Sequence, residues 1–425
     1  MAVALAEAKT LARDLLARLA AGTADAPGVT RVAYGDGERF AFALMAEAAK
    51  GWNAEVAFDA AGNQFITLPG RDRAREILVG SHLDSVPHGG NFDGAAGVIA
   101  GVALQRAFAE GEPPPFDLTV VCLRAEESCW FPHSYIGSKT ALGRLDPAVL
   151  DGVRRSDTGL TLAEHMAEEG FDPEAVRRGE TRIRPERVVA YIEPHIEQAP
   201  LLLAEGLPLG IVTGIRGSFR YRTIRITGEN AHSGAMPRVL RRDAVVAGAR
   251  LVGEMQALWL RREAAGEDLT VTFGEFGTDP AQHSFSKVPG FAQLCLDVRS
   301  QSTATLESVR TEFLEITARV ADECAVEIDP GPLSGSEPAL MAESLNAMLD
   351  ERAAALGIPA RRMPSGAGHD AASFAQAGIP ATMLFIRNEN GSHNPDEHME
   401  IEDFDRALEL LHALISMPAD RWNRP

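Results

Sequence analysis

His82 and Asp84 stand two residues apart, and Asp93 follows in the same glycine-rich stretch, Gly80 to Val98 (GSHLDSVPHGGNFDGAAGV). On an extended chain, residues two apart point the same way. Imidazole nitrogen and carboxylate oxygen are donors for a borderline-to-hard divalent cation. A His-x-Asp pair alone would equally suit a solvated glycine-rich loop. What separates the two readings is recurrence. Glu126-Glu127 follows the apolar run at 117–124 (DLTVVCLR), and His195-Ile196-Glu197-Gln198 follows the run Val188 to Glu193. His393 comes after a further run at 381–387 (ATMLFIR). Open α/β sheets place their sites at the carboxyl ends of strands. The candidate ligands are therefore His82, Asp93, Glu127, His195 and His393, about the set that two metals sharing one carboxylate need. Asp84 is placed to accept the second ring proton of His82 and fix its tautomer. Glu126, beside a ligand but pointing the other way, suits a general base acting on water.

The elements that must position these residues read as α/β. Residues 4–22 and 37–51 pattern as amphipathic helices, and Ala54 to Pro69 as a hairpin around Ala61-Gly62-Asn63. Strand 76–80, helix 94–110 and strand 117–124 make a βαβ unit. That predicts a mostly parallel, mixed sheet with helices on both faces. Residues 137–180 read as helical and charged, with starts near Leu145-Asp146-Pro147 and Thr161. The character changes near 214–218. An alternating strand at 219–228, a helix at 241–262, strands at 269–275 and 291–298, a helix at 303–324 and a strand at 325–328 follow. This βαββαβ order predicts a ferredoxin-like α/β sandwich. The expected organisation is a first domain of residues 1–215 and 333–425 with an inserted domain at 216–332, the chain returning through Pro330-Gly331-Pro332. A helix at 338–356 and the strand at 381–387 complete the first domain.

A chain of 425 residues exceeds the usual size of one domain. Its net charge of −19 argues against nucleic acid and anionic membrane surfaces as partners, but not against a small anion held by one or two arginines. Cys122 and Cys295 lie in apolar runs and read as core residues; there is no CxxC pair, and a reducing compartment is favoured. The N-terminal stretch carries Glu7, Lys9, Arg13, Asp14 and Arg18 at helical intervals, so it reads as an amphipathic helix and not a signal peptide. No run approaches the ~20 apolar residues that span a bilayer. A cytoplasmic protein is expected.

With GSHLDSV and GGNFDGAAGV followed by AEES, EPHIEQ and GSHNPDE, the chain resembles the di-metal aminoacylase and carboxypeptidase-like hydrolases. Within them it is most similar to the carbamoylase branch, which includes N-carbamoyl-L-amino-acid hydrolases, allantoate amidohydrolases and bacterial-type β-ureidopropionases. The likeness runs from Gly28-Val29-Thr30-Arg31 through Asp59-Ala60-Ala61-Gly62-Asn63 to the end of the chain. HIEQ at 195–198 and SGAGHDA at 365–371 are specific to the branch, whereas GSHLD is shared more widely.

The resemblance implies a zinc-peptidase-like catalytic domain. His82, Asp93, Glu127, His195 and His393 would hold two divalent ions per subunit (zinc, manganese or cobalt), with Asp93 bridging. Glu126 would be general base and acid, and Asp84 the partner of His82. Gln198 would contact the ureido or amide end of the substrate. His232, in Ala231-His232-Ser233-Gly234, would polarise the scissile carbonyl from the other subunit of a homodimer formed through the inserted domain. Arg299 would grip the substrate carboxylate, and Gly366, Ala367 and Gly368 would line the pocket. His369-Asp370 is expected to support that loop, and His88, His133 and His398 have no matching role.

The sequence departs from the branch at three places. Ser128-Cys129-Trp130-Phe131 replaces the usual Gly-Ser-Arg-Phe after the acidic pair. Ser233 to Arg238 departs from the usual residues after the histidine. Ser286 stands where an asparagine helps bind substrate, and is expected to inherit that role. The activity implied is metal-dependent hydrolysis of a linear amide or ureido C–N bond in an N-carbamoyl- or ureido-substituted amino acid or similar small acid. One alternative is an N-acyl amino acid deacylase or dipeptidase on the same scaffold, against which HIEQ argues. The other is a non-catalytic metal- or ligand-binding homologue, against which Glu126 argues, since binding needs no base.

Overall fold

The apolar run Glu76 to Val79 lies inside a longer strand, Asp72–His82, in the computed structural model, which describes residues 2–423. The chain divides into two compact units. One comprises the residues up to Thr213 and from Leu340 onward; the other is Gly214–Ala339.

In the first unit the sheet runs Glu55–Phe58, Gln64–Leu68, Phe116–Leu123, Asp72–His82, Val188–Ile196, Ala381–Ile386, Leu209–Ile215, with Ala360–Ser365 also paired to the last of these. The four strands from Phe116–Leu123 to Ala381–Ile386 are mutually parallel. Glu55–Phe58, Gln64–Leu68 and Leu209–Ile215 join antiparallel. Helices cover both faces, so the middle strands carry apolar residues on both sides; all of Phe116–Leu123 is buried. Ile77 and Val79 enter one core with the helices Ala2–Gly22, Ala95–Ala109, Glu343–Leu356 and Ile401–Ile415. On the opposite face Tyr191 stacks on Phe374 of the helix Ala371–Gln376, ring centroids 3.7 Å apart. Because the four middle strands run the same way, their carboxyl ends form one rim. His82, the Glu126-Glu127 pair, His195 and His393 all lie on or just beyond it.

The hairpin expected around Ala61-Gly62-Asn63 is present, with Phe58 opposite Gln64. Its turn does more than reverse the chain. The Asn63 amide donates to Gly137 O at 3.0 Å, and its oxygen accepts the Arg124 backbone N–H at 3.0 Å. Arg124 in turn is almost fully buried, 2.6 Å from Glu38 and 3.1 Å from Glu169. Its guanidinium lies 4.7, 4.6 and 5.0 Å from the ring centroids of Tyr34, Phe42 and Phe171. The strand end that leads into Glu126 is thus anchored by a paired internal charge.

In the second unit the order is Thr270–Thr272, Phe291–Ser300, Gly217–Thr227, Glu327–Asp329, all antiparallel. This is the strand order of a split βαβ unit. The helices Ala244–Ala264 and Thr303–Cys324 pack on one face through Leu251, Met255, Val309 and Phe313.

Several expectations need correction. Residues 137–180 hold four helices of only five to seven residues each. The helix expected from 338 starts at Glu343, because Ala339–Leu340 is paired as a strand. Leu209–Ile215, Leu333–Ser336 and Ala360–Ser365 are strands the sequence reading passed over, and Ile401–Ile415 is a helix it did not mark. Cys295 is half-buried, not core: Ala292, Leu294, Leu296 and Val298 take the inner face of its strand. Among the described residues no helix is long and apolar enough to cross a membrane.

Removing one partner of a buried ion pair strands the other. Arg124→Met should therefore lower unfolding free energy by about 3–5 kcal/mol. Urea denaturation followed by circular dichroism measures this, and a loss of only a few tenths would mean Glu38 and Glu169 are solvated.

Candidate metal centre

Asp93 lies where the glycine-rich stretch turns into the helix Ala95–Ala109. Gly94 between them takes φ +64°, and a Cβ there would fall 2.5 Å from the His82 ring. Only glycine allows both the left-handed backbone and the ring lying against it. His82 Nε2 is 3.5 Å and His195 Nε2 3.2 Å from Asp93 Oδ1. His393 Nε2 is 3.4 Å from Asp93 Oδ2 and 3.3 Å from Glu127 Oε1. Two groups result, each with its potential ligand atoms within 4.8 Å of one another: His82, Asp93 and His195, and Asp93, Glu127 and His393. The five residues singled out from the sequence meet here, and Asp93 belongs to both groups.

Other contacts orient the rings. His195 Nδ1 is 2.8 Å from Ile196 O and His82 Nδ1 3.0 Å from Asp84 O. Each carbonyl accepts an Nδ1–H, which directs Nε2 at Asp93; that nitrogen offers a lone pair when the ring is neutral and an N–H to the Asp93 carboxylate when the ring is protonated. Asp84 meets His82 Nδ1 with two groups. Its main-chain oxygen meets His82, while its carboxylate stands 3.5 Å from the ring. The two carboxylate oxygens accept the backbone N–H groups of Glu126 and Glu127, each at 3.1 Å. Those amides point back because Ala125 takes φ +49°, a costly conformation for a residue with a side chain.

Glu126 Oε2 is 4.0 Å from His82 Nε2. Burial pushes its carboxyl well above the usual carboxylate range; His82 opposes this, while Asp370, Glu127 and Asp84 reinforce it. Burial also carries Glu127 up to about 7. Asp93 goes the other way: burial would raise it, but hydrogen bonds to His195, His393 and His82 hold it well below the ordinary range.

Gln198, with φ +63°, donates Nε2–H to Asp93 Oδ2 at 2.7 Å and its backbone N–H to Asn388 Oδ1 at 2.9 Å. Among the described residues its Oε1 is buried and accepts no hydrogen bond, and the same holds for Glu127 Oε1, 3.3 Å from His393 Nε2. Buried acceptors left open in this way ask for a ligand. Ser365 Oγ donates to Ala367 O at 2.8 Å, and a Cβ at Gly368 would collide with the Tyr135 hydroxyl. Residues 366–368 are therefore held close under Tyr135. His369 sits edge-on to His195 with centroids 4.4 Å apart and Nε2 3.1 Å from Ser365 Oγ.

His232, Ser286 and Arg299 belong to the second unit. Ala231–His232 pairs with Lys287–Val288, and the Ser233 N–H donates to Ser286 O at 3.0 Å, so His232 and Ser286 are neighbours. His232 Nδ1 accepts the N–H groups of Gly234 and Ala235 at 3.1 and 3.2 Å. The neutral ring then carries its proton on Nε2. Arg299 is paired with Asp297, Nη2 to Oδ2 at 2.9 Å.

Three supporting residues escaped the sequence reading. Glu397 accepts the Phe92 and Asp93 N–H groups at 2.8 and 3.2 Å and the Ser392 hydroxyl at 2.7 Å. Ser392 Oγ also lies within hydrogen-bond reach of Asp93 Oδ2, so its one hydroxyl proton serves either carboxylate and not both at once. Arg31, fully buried, donates Nε–H to Leu83 O at 2.7 Å and backbone N–H to Ser85 Oγ at 2.9 Å, bracing the loop that holds Asp84. Glu397 and Arg31 lie inside motifs that carried the resemblance, but a carboxylate four residues past a histidine looks like surface charge until the chain is folded.

Residues 78–417 match the model of peptidase family M20/M25/M40. An N-carbamoyl-L-amino acid amidohydrolase of Geobacillus stearothermophilus is 34% identical over 91% of this chain and 92% of its own length. An allantoate amidohydrolase of Escherichia coli is 32% identical over 85% of this chain and 86% of its own. A crystal structure of a hydantoinase/carbamoylase-family amidase from Burkholderia multivorans superposes with a TM-score of 0.86 at 29% identity, covering 97% of this chain and 98% of that one.

Asp84→Asn replaces one acceptor of the two backbone amides by an NH₂ group that cannot accept. It should cost about 1–3 kcal/mol of stability, the penalty for a buried donor left unpaired. An unchanged melting temperature would show that the acidic pair is held some other way.

Proposed function

The chain belongs to peptidase family M20/M25/M40, and from that premise we propose that it hydrolyses a linear ureido or amide C–N bond in an N-carbamoyl- or ureido-substituted amino acid, with two divalent ions bound. The observation that carries this reading is the pair of ligand groups sharing Asp93, with Glu126 alongside. The residues fit such ions. The donors are all imidazole nitrogen or carboxylate oxygen, the set that zinc and manganese take. Among the described residues Glu127 Oε1 is buried and accepts no hydrogen bond.

His82, His195 and Asp93 would hold one ion, and Glu127, His393 and Asp93 the other. Ions bound there would polarise the scissile carbonyl and acidify water. Glu126 takes a proton from the attacking water, and its carboxyl, pushed up by burial, keeps it for the leaving nitrogen. Gln198 offers its open Oε1 to a ureido N–H. The reading gives His232 Nε2–H to the developing oxyanion, Arg299 to the substrate carboxylate, and Ser286, beside His232, to a substrate hydrogen bond. Residues 366–368 line the pocket. His232 serves from the other subunit of a homodimer formed through residues 216–332, as the resemblance implies. The pairing of relatives active on N-carbamoyl amino acids and on allantoate supports a small carboxylate-bearing substrate.

Metal content tests the shared carboxylate. His82→Ala and His393→Ala should each lose one ion of two by plasma mass spectrometry, and Asp93→Ala should lose both. Exhaustive chelation should abolish activity, with zinc, manganese or cobalt restoring it. Full turnover by verified metal-free protein would sink the reading.

Glu126→Gln should keep its metals and lose kcat by roughly 100-fold or more. Mixed with His232→Ala chains, it should regain activity as subunits exchange, because a mixed dimer then has one intact site. Mixed dimers proven by mass spectrometry but inactive would place His232 in its own chain's site, or outside catalysis.

A further inference from the structure

Gly217–Thr227 and Phe291–Ser300 each turn one face to the helices and the other away from them. On the outer face Arg220 stands directly opposite Asp297, and Arg299 follows two residues on. Asp297 accepts from both arginines: Arg220 Nε lies 3.2 Å from Oδ2, Arg299 Nη2 2.9 Å from Oδ2, and Arg299 Nε 3.2 and 3.3 Å from the two oxygens. The three side chains remain about a third open to solvent, at 31%, 28% and 36%. Their register neighbours on the flanking strands are Thr270, Thr272 and Ser334, all uncharged.

Arg220 uses only Nε in this arrangement. Its two terminal nitrogens make no hydrogen bond among the described residues. That planar pair of donors matches a carboxylate in a bidentate approach. Taken by themselves, these two guanidiniums and one carboxylate sum to a single positive charge. Without Asp297, two cations would face each other with nothing between them.

We propose that Arg220 and Arg299 together read one substrate carboxylate, and that Asp297 positions both and sets the unit to accept one negative charge. Arg220 thereby becomes a specificity-determining residue. The inference rests on the reading of Arg299 given above and goes beyond it in naming Arg220, Asp297 and a preference for substrates with a single carboxylate.

The test uses the metal-loaded full chain and three substrates: N-carbamoyl-L-alanine, its carboxamide and N-carbamoyl-L-aspartate. Arg220→Met should raise KM for N-carbamoyl-L-alanine about tenfold or more, the weight of a lost charged hydrogen bond, with kcat and turnover of the carboxamide little changed. Arg220→Lys should recover part of the loss. Asp297→Asn should raise kcat/KM for N-carbamoyl-L-aspartate relative to N-carbamoyl-L-alanine by about tenfold. A merely structural role would lower all three substrates together, and that outcome overturns the proposal. If Arg299→Met erases the carboxylate preference while Arg220→Met and Asp297→Asn leave it intact, the proposal fails and the reading of Arg299 stands. If Arg299→Met leaves the preference intact, the reading of Arg299 fails as well.

Discussion

One buried carboxylate, that of Asp93, faces three imidazole nitrogens drawn from three strand ends. A buried charge is tolerated only when its lone pairs are met, and here the meeting is done by groups far apart in sequence. Gln198 donates to Asp93 from beyond the His195 strand. Ser392 can donate from the loop that brings His393. Glu397 holds the Asp93 backbone from below. The parallel strands matter because they bring these ends to one rim; none of the five candidate ligands lies on the antiparallel strands Glu55–Phe58, Gln64–Leu68 and Leu209–Ile215.

Around that carboxylate the chain accepts local strain for position. Ala125, Gln198 and His393 all adopt positive φ, at 49°, 63° and 62°. Such residues cost of order 1–3 kcal/mol each and persist where surrounding contacts over-determine them. The contacts are visible. Asp84 pins the amides after Ala125, Asn388 pins the amide of Gln198, and the Glu397–Ser392 bond pins the loop of His393. Arg31 and Asn63 extend this bracing, since each ties a strand-end loop to a neighbouring segment. Motifs distant from the ligands in sequence are thereby part of the same scaffold.

The five residues that meet around Asp93 were legible as candidates because their types recur at ends of apolar runs, a pattern that survives without knowing how the strands pair. The inserted βαββαβ order was legible for a similar reason, since its periodicity switches cleanly between two and 3.6. What the chain hid were short elements stabilised only by their neighbours. Leu209–Ile215 contains two glycines and reads as a turn until Ala381–Ile386 pairs with it. The division of labour within Asp84, main-chain oxygen to the ring and carboxylate to two amides, depends on the left-handed turn at Ala125, which composition does not announce. The resemblance marked Arg299 for a substrate carboxylate, yet a carboxylate of the chain itself, Asp297, sits two residues away on the same face.

The Asp93 environment also has an order in time. Ser392 reaches Asp93 across 299 residues, and Glu397 reaches Phe92 across 305. Between these halves of the centre lies all of Gly214–Ala339. On a ribosome adding about 5–20 residues per second, roughly 15–60 s separate emergence of the two halves. For the last two-thirds of that interval Asp93, His82, Glu127 and His195 exist without His393, Ser392 or Glu397. A nascent chain therefore carries an incomplete, acid-rich cradle. Closing a loop of this length is slow to nucleate but adds little entropy cost beyond that of a shorter one. The centre thus stays incomplete until residues 392–397 emerge, and a chain cut short before residue 393 lacks one of its five candidate ligands.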